Sequence, residues 1–406
     1  MKRLGIYVQV PFCQTKCAYC NFHTGVVAKE RFAPYVDAVC KEIREHRELL
    51  KAARVIWTSG ERPLETRGKR VESGENEETK YLVDTVYFGG GTPSLLEAGQ
   101  LAKTLEAIRE ALANEFQEVT LEADPETVER EKADAWAREG INRVSFGLQS
   151  FSDEELKAAG RMHRRADVYR AVPILRAAGI QNISFDLIAG LPHQTKESWK
   201  HSLEELIALA PEHVSVYLLE VDEGSRLGKE LLAGGTRYSA GAVPGEDEMA
   251  EFYEMAQAKL GTAGYRHYEI SNWAKPGFES KHNLKYWRRE PYLGFGAGAH
   301  SFSVRQRWAN VHDALAYVGA IESGRLPVEQ LETVTAEQAL EEELFLGLRQ
   351  LDGVDVGRIE RKYGVALAGR FEPLTTAGLV EREGDVVRLA GQKLSVSNEV
   401  FVELMK

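Results

Sequence analysis

Residues 5–20 read Gly5-Ile-Tyr-Val-Gln-Val-Pro-Phe-Cys13-Gln-Thr-Lys-Cys17-Ala-Tyr-Cys20. The first half is apolar and β-branched, which predicts a strand over residues 5–10 that ends at Pro11. The second half places three of the chain's four cysteines within eight residues. In a chain of this length, that clustering indicates a metal or cluster site rather than a disulfide framework.

The three cysteines suit an iron–sulfur cluster, because thiolates are soft ligands. Three of them on one loop can hold three corners of a [4Fe–4S] cube and leave the fourth iron open. Zinc is the alternative, but it usually takes four ligands, and the nearest fourth candidate is His23. The remaining cysteine, Cys40, falls inside a predicted helix, where we interpret it as a small buried apolar residue.

The bulk composition restricts the class of protein. The 406 residues suffice for one large and one small domain, and 43% hydrophobic with 28% charged residues is typical of a globular protein. The formal net charge of −11 argues against wrapping nucleic acid, because phosphate neutralisation requires excess Lys and Arg. No apolar run approaches the ~20 residues that span a bilayer, and the first apolar run predicts a strand rather than a signal peptide. We therefore expect a cytoplasmic protein with no nucleic-acid partner.

Strand and helix patterns alternate along the first half of the chain. Strands are expected at residues 5–10, 85–88, 118–122, 143–148, 183–188 and 213–219. Helices are expected at residues 32–51, 98–112, 127–139, 168–178 and 196–209. This alternation predicts an α/β fold, a partial (βα)6 parallel barrel over residues 1–225, with a doubly wound open sheet as the alternative. A polar stretch without periodicity, residues 59–79, is interpreted as an exposed inserted loop.

The second half of the chain divides in two. Residues 226–330 contain a Gly-rich connector, a helix at residues 247–260 and a stretch dense in aromatic residues. Residues 331–406 have the pattern of three helices, a hairpin and a short helix, which predicts a smaller C-terminal α+β domain of winged-helix type. That segment carries 14 acidic and 9 basic residues, so we expect it to pack as an accessory to the rest of the protein rather than to bind DNA.

Polar residues lie at the carboxyl ends of several predicted strands. Gly89-Gly-Gly-Thr-Pro93 follows the second strand, and its glycines allow a ligand to approach the backbone closely. Further polar residues accompany strands three to five, namely Glu122, Gln149, Arg161 and Asp186. In a βα barrel, the carboxyl ends of the strands line the active site. Each residue alone fits a satisfied core group, but four on successive strands indicate one site.

These motifs together resemble the HemN/HemW group of the radical S-adenosylmethionine (SAM) superfamily. The Cys-x-x-x-Cys-x-x-Cys spacing and the glycine motif are typical of the superfamily. The resemblance to the group covers nearly the whole chain apart from residues 59–79. The stretches that carry it are Tyr7-Val-Gln-Val-Pro-Phe-Cys13, Tyr87-Phe-Gly-Gly-Gly-Thr-Pro93, Ser145-Phe-Gly-Leu-Gln-Ser-Phe151, Gly160-Arg-Met-His-Arg164 and Asp186-Leu-Ile-Ala-Gly-Leu-Pro192.

The resemblance implies a [4Fe–4S] cluster on Cys13, Cys17 and Cys20, with SAM bound to the open iron through its amino and carboxylate groups. It also implies a set of protein contacts to SAM. Glu220, after strand six, is a further candidate for such a contact. The implied contacts are Tyr7, Tyr19, Gly90, Gly91, Thr92, Glu122, Gln149, Arg161 and Asp186.

Two features separate the branches of this group. The oxygen-independent coproporphyrinogen III oxidases carry a fourth cysteine two residues after the third, where this chain has Phe22. The heme chaperones carry His-Asn-x-x-Tyr-Trp, which His282-Asn-Leu-Lys-Tyr-Trp287 matches. The resemblance implies that His282 is an axial heme ligand, with Tyr286 and Trp287 beside the porphyrin. From the residues alone, His282 also fits a satisfied polar residue among packing aromatics.

Other residues near this motif are candidates for heme contact. His300, in Gly294-Phe-Gly-Ala-Gly-Ala-His300, is an alternative heme ligand. Its Gly-rich stretch lacks the strand–turn–helix context of a nucleotide loop, so we interpret it as close backbone packing. Cations that could pair with the propionates are Lys281, Lys285, Arg288 and Arg289.

We therefore expect a heme-binding chaperone that passes heme to an acceptor protein, membrane-associated acceptors included, and that takes an electron from a donor. The alternative is an enzyme, either a coproporphyrinogen III dehydrogenase or another radical SAM enzyme acting on a tetrapyrrole. A third interpretation, a radical enzyme that modifies nucleic acid, is disfavoured by the net charge.

Overall fold

A computed structural model describes residues 2–53, 55 and 81–405. The predicted loop at residues 59–79 lies outside the described residues. Among the described helices, none combines the length and the apolar character needed to cross a bilayer. The first six strands are β1 (Lys2–Val10), β2 (Tyr81–Gly90), β3 (Asn114–Ala123), β4 (Arg143–Gln149), β5 (Asn182–Ala189) and β6 (His213–Leu218). The helices that alternate with them are α1 (Phe32–Ala52), α2 (Ala98–Ala111), α3 (Arg130–Glu139), α4 (Asp153–Ala158), α5 (Arg165–Ala177) and α6 (Lys196–Leu209).

The six strands pair in chain order, and every pairing is parallel. The strands that extend this sheet are β7 (Arg266–Glu269), β8 (Asn272–Ala274), β9 (Tyr292–Phe295), β10 (His300–Phe302), β11 (Gln306–Asn310) and β12 (Val328–Thr333). The order is β12-β11-β10-β9-β1-β2-β3-β4-β5-β6-β8-β7, and its two ends do not pair with each other in the described part of the chain. The predicted α/β fold is confirmed, with a parallel sheet that is not closed into a full barrel.

A seventh parallel strand, β9, lies on the free side of β1, where Tyr7 is opposite Gly294. The sequence pattern of this stretch predicts close backbone packing and no strand. The packing is indeed close, because a Cβ added at Gly294 would clash with the carbonyl oxygen of His300. The strand itself was missed because four residues that include a glycine are too few for a period-two pattern.

Side chains along β1–β6 alternate between two environments. One set is apolar and fully buried in the core, for example Ile6, Val8, Val86 and Phe88. The other set is polar or aromatic and faces the inside of the curved sheet. There Tyr7 stacks on Tyr87, with ring centroids 6.0 Å apart, and Ser145 Oγ donates to Asp186 Oδ2 at 3.5 Å. The inner face therefore carries polar groups toward the carboxyl ends of the strands.

The C-terminal segment packs against the sheet and its helices. The helices of the second half are α7 (Arg226–Leu232), α8 (Glu246–Thr262), α9 (Lys281–Trp287), α10 (Ala314–Glu322), α11 (Ala336–Leu348), α12 (Val356–Tyr363), α13 (Ala368–Thr376) and α14 (Ser397–Leu404). A second sheet has the order β13-β15-β14, from β13 (Val354–Asp355), β14 (Val380–Glu383) and β15 (Val386–Leu389). One apolar core extends from Leu4 to Leu404. The domain boundaries 1–225, 226–330 and 331–406 stay a prediction.

Candidate cofactor site

A cavity of about 610 Å³ opens at the carboxyl ends of β2–β6. Its wall brings together the clustered cysteines and most of the polar residues predicted at strand ends. The predicted residues that line it are Cys13, Cys17, Tyr19, Cys20, Gly90, Gly91, Thr92, Glu122, Gln149, Arg161, Asp186 and Glu220. Two predicted site residues, Tyr7 and His282, do not line this cavity.

The cysteine loop is held by main-chain hydrogen bonds to three neighbouring segments. The N–H of Cys13 donates to the carbonyl of Gly25 at 3.1 Å, and the N–H of Ala18 donates to that of Ala159 at 3.0 Å. On the other side, the N–H of Leu227 in α7 donates to the carbonyl of Ala18 at 2.8 Å. These hydrogen bonds join the loop to the segments at Gly25, Ala159 and Leu227.

The cysteines themselves are free thiols. Burial raises the pKa of the Cys13 and Cys20 thiols. Among the residues that the structure describes, no three His, Cys, Asp or Glu side chains gather closely enough to hold a single metal ion. His23, the alternative fourth zinc ligand, has its ring against that of His312, with centroids 3.9 Å apart. Three thiols spread around one cavity fit the corners of a cluster better than one zinc ion.

The glycine motif after β2 packs directly on the cysteine loop. The N–H of Thr92 donates to the carbonyl of Phe12 at 2.7 Å, and a Cβ added at Gly91 would clash with that same carbonyl oxygen. Gly90 has a φ of +110°, a conformation that favours glycine, and its N–H donates to Glu122 Oε2 at 3.0 Å. Two of the motif's glycines are therefore required by the backbone geometry that joins the loop to the end of β2.

Two carboxyls, Glu122 and Asp186, face the cavity from inside the sheet. The hydroxyl of Tyr87 donates to Glu122 Oε1 at 2.8 Å. Burial, together with the nearby Asp186 carboxyl, raises the pKa of Glu122 to about 7. Burial also raises the pKa of Asp186, and a hydrogen bond from Ser215 opposes that shift. A cationic ligand would favour the charged forms of both carboxyls, so this wall suits a positively charged, hydroxyl-bearing molecule.

Arg161 connects three parts of the cavity wall. Its guanidinium donates to the carbonyl of Gly147 at 2.7 Å and to Cys17 Sγ at 3.5 Å, and it forms an ion pair with Asp124. Asp124 Oδ2 also accepts a hydrogen bond from Thr92 Oγ1 at 3.2 Å. Asp124 is not among the predicted site residues, although its position just beyond the end of β3 is a usable signal. This carboxylate holds Arg161 toward the cysteine loop.

Among the residues described by the structure, two polar atoms of the predicted site residues that line the cavity have no protein partner. They are Oε1 of Gln149 and Nε of Arg161, both buried. Gln149 also has a φ of +68°, which is uncommon for a residue with a side chain and is typical of functional sites. Because buried polar atoms are normally hydrogen-bonded, these two fit a polar ligand in the cavity.

Tyr7 lies one layer behind the cavity wall. Its hydroxyl donates to Gln9 Oε1 at 2.6 Å, and its ring stacks on Tyr87, which in turn donates to Glu122. Any effect of Tyr7 on a ligand would therefore pass through Tyr87 and Glu122.

Known proteins resemble this chain along nearly its whole length. The Radical SAM superfamily pattern matches residues 7–206, and the HemN C-terminal domain pattern matches residues 334–392. The Heme chaperone HemW of Bacillus subtilis (strain 168) is 35% identical over 401 residues, which cover 97% of each chain. This chain belongs to the HemW family. The HemW of Escherichia coli (strain K12) is 33% identical over 298 residues, or 73% of this chain and 70% of that relative.

This chain shares its fold with an enzyme of known structure. Coproporphyrinogen III oxidase (HemN) from Escherichia coli, a radical SAM enzyme, superposes with a TM-score of 0.80 at 20% identity. The superposition covers 100% of this chain and 90% of that one. At this identity the similarity establishes the common fold alone.

The histidine motif by which we separated the HemW branch lies on α9, near the amino-terminal halves of β2 and β3. Its His282 is 1% exposed, and burial lowers the pKa of its imidazole to about 3. The ring nitrogens are both hydrogen-bonded, Nδ1 with Thr85 Oγ1 at 2.9 Å and Nε2 with Tyr286 Oη at 2.8 Å. In this conformation His282 is a satisfied polar residue, and iron ligation would require one of these bonds to break.

Two of the four cations proposed for heme propionates form ion pairs inside the protein. Lys285 Nζ lies 2.8 Å from Asp84 Oδ1 and 3.3 Å from Glu290 Oε2, and Arg289 Nε lies 2.9 Å from Glu342 Oε2. The other two, Lys281 and Arg288, are exposed and donate to side-chain amide oxygens. In this HemW-family protein, neighbouring carboxylates therefore neutralise the charges of Lys285 and Arg289 alone.

One side of the cavity was not predicted at all. It comes from Tyr253 in α8, from Arg349 after α11, and from residues just before and within α14, namely Leu394, Ser395, Ser397 and Asn398. The Arg349 guanidinium also lies over the ring of Trp287, 4.5 Å from its centroid, which links the histidine motif to the cavity. No local pattern could identify these residues, because only the packing of the C-terminal segment brings them to the cavity.

Proposed function

We propose that this chain is a heme chaperone, which binds heme and transfers it to an acceptor protein, membrane-associated acceptors included. The observation that carries the proposal is Phe22. This side chain stands where the oxidases have a further cysteine, and it is 64% exposed at the cavity mouth. Phenylalanine has no thiol with which to replace that cysteine. The relatives at 32–35% identity over nearly the whole chain are named heme chaperones, which supports the same interpretation.

The proposal includes a [4Fe–4S] cluster on Cys13, Cys17 and Cys20 and exchangeable SAM. The free thiols around one cavity and the unpartnered atoms of Gln149 and Arg161 support it. When bound, the cluster and SAM supply radical chemistry that no side chain offers. The residues proposed to orient SAM are Tyr19, Gly90, Gly91, Thr92, Glu122, Gln149, Arg161 and Asp186, with Tyr7 acting through Tyr87.

An electron donor and a reducing compartment follow from this proposal. Reduction of a cluster consumes an electron that no group of the protein provides. Three cysteines that bind a cluster must stay reduced, so we propose a cytoplasmic location.

The alternative function is an oxidase or another radical SAM enzyme acting on a tetrapyrrole. This chain superposes on coproporphyrinogen III oxidase over its whole length, and this similarity of fold is the reason to test the alternative. The deciding assay incubates anaerobically reconstituted protein with coproporphyrinogen III, SAM and a reductant. We expect no substrate-dependent release of CO2 or 5′-deoxyadenosine. Sustained release of both would replace the chaperone proposal with the enzyme.

Heme titration of the purified full-length chain tests the proposed function directly. We expect a Soret band that saturates at one heme per chain. Absence of a saturable band would contradict the proposal. The same titration of His282→Ala tests the predicted axial ligand, and an unchanged band would exclude His282 from that role.

A further inference from the structure

Two imidazole rings stack beside the cysteine loop. His23 lies three residues beyond Cys20, and its ring is tilted 31° to that of His312 with centroids 3.9 Å apart. His312 follows β11, next to a main-chain hydrogen bond from the N–H of Gly298 to the carbonyl of Val311 at 2.9 Å. A Cβ added at Gly298 would lie 2.8 Å from His312 Nδ1, so the imidazole packs closely on this backbone. The exposed ring of His23 therefore packs against the ring of His312.

The segment that carries His23 presents apolar surface to solvent. Phe22 is 64% exposed and Val26 is 61% exposed, although both side chains are apolar. Main-chain hydrogen bonds keep this segment ordered, since Thr24 N–H donates to the Phe22 carbonyl at 2.8 Å and Gly25 N–H donates to the Pro11 carbonyl at 2.9 Å. Phe22 and Val26 flank His23 in sequence, so one ordered loop exposes two large apolar side chains together with an imidazole.

The chemistry of this surface suits heme rather than a free metal ion. In the described ranges of the chain, no three His, Cys, Asp or Glu side chains are grouped to hold one ion. Heme iron needs fewer ligands from the protein, because the macrocycle supplies four nitrogens and one imidazole can occupy an axial position. His23 is exposed and has no hydrogen-bond partner among the described residues, whereas both nitrogens of His282 are engaged. Phe22 and Val26 can contact the apolar porphyrin face.

We propose that His23 is the axial ligand of heme, on a surface formed by Phe22, His23, Val26 and the backing ring of His312. This proposal rests on the heme-binding function proposed above. It places heme on the same loop as Cys20, at the mouth of the cavity that Phe22 lines. His312 is a positioning residue in this arrangement, because it acts through the ring of His23.

Heme titration of full-length variants tests the proposal, with the Soret band and resonance Raman detection of the iron–histidine bond as readouts. We expect His23→Ala to weaken heme binding at least tenfold, to lose the iron–histidine signal, and to recover that signal when imidazole is added. His312→Ala should weaken binding a few-fold and keep the signal. The matched control is His201→Ala, which removes another exposed imidazole, on α6. Its heme affinity and iron–histidine signal should equal those of the unmodified chain.

The outcomes separate this proposal from the proposed function. One-to-one binding by the unmodified chain with an unchanged iron–histidine signal in both His23→Ala and His23→Gln would overturn the His23 site and leave the heme chaperone standing. Loss of the signal in His282→Ala alone would assign the ligand to α9 instead. No saturable binding by the unmodified chain would overturn both proposals. Circular dichroism of each variant confirms that it is folded.

Discussion

The guanidinium of Arg161 donates a hydrogen bond to Sγ of Cys17 at 3.5 Å, across 144 residues of sequence. The same side chain is paired with Asp124 and has one unpartnered nitrogen, Nε. Arg161 therefore belongs to both halves of the site, the cysteine loop and the strand-end wall.

Arg161→Lys should lower SAM affinity roughly 10- to 100-fold, because a charge-assisted hydrogen bond contributes about 1.5–3 kcal/mol. Lysine keeps the charge, but its single ammonium group cannot donate to Asp124, Gly147 and a ligand at the same time, as the planar guanidinium can. Anaerobic titration of reconstituted protein with SAM, followed by electron paramagnetic resonance of the reduced cluster, measures the change. Arg165→Lys, at an exposed position of α5, is the control and should bind SAM normally. Equal affinity in both variants would contradict the role of Arg161.

Removal of one clustered thiol should abolish the iron–sulfur cluster, whereas removal of the fourth cysteine should not. Cys17→Ala leaves two ligands on the loop, and we expect less than one tenth of the iron and of the absorbance near 400 nm after reconstitution. Cys40 is buried in α1, where its Sγ contacts Thr104 Oγ1 at 3.9 Å. Cys40→Ala should keep full iron content. Iron loss in Cys40→Ala equal to that in Cys17→Ala would refute the assignment.

Gly91→Ala should destabilise the cysteine loop, since the added Cβ would clash with the Phe12 carbonyl and nearby backbone atoms. Backbone cannot move aside as a flexible side chain can, so we expect a loss of about 1–3 kcal/mol in unfolding free energy. Gly99→Ala is the matched control, because nothing lies within 4 Å of its added Cβ. Urea denaturation of both variants provides the comparison. A Gly91→Ala midpoint equal to that of Gly99→Ala would show that the loop has room to adjust.

Glu42 should make stability fall between about pH 4.5 and pH 7. Burial raises the pKa of this carboxyl to about 7, although Tyr317, Gly296 and Asn310 all donate to it. A carboxyl with a raised pKa stabilises the folded state at low pH, and this contribution is lost as pH rises through the folded pKa. The shift corresponds to about 3 kcal/mol.

Glu42→Gln cannot ionise, so its unfolding free energy should lack that part of the pH dependence. Urea unfolding of the metal-free protein at pH 5, 6, 7 and 8 measures the difference from the unmodified chain. Parallel curves for the two proteins over this range would show that Glu42 does not titrate there.

The parts of the site that follow strands were predictable from the sequence. Glu122, Gln149 and Asp186 line the cavity because parallel strands deliver their carboxyl ends to one edge, and the strands themselves show apolar β-branched patterns. The pairing of β1 to β6 in chain order follows from the same alternation of strands and helices.

Other parts depend on contacts that no local pattern encodes. Arg349 and Asn398 reach the cavity only because the C-terminal segment packs against the sheet. The stacking of His23 on His312 joins segments almost 290 residues apart. For His282, the residue pattern allowed either a ligand or a satisfied core group, and the contacts with Thr85 and Tyr286 describe the second.

The cavity wall also has a consequence for synthesis of the chain. The cysteine loop ends at Cys20, whereas the cavity residues just before and within α14 begin at Leu394, more than 370 residues later. At ribosomal rates the interval between them is on the order of 20–80 s, and amino-terminal regions fold first. A nascent chain can therefore present its three thiols from a partly folded sheet while the cavity still lacks one side. A metal inserted during translation would bind an open loop, and residues synthesised much later than the cysteines would enclose it.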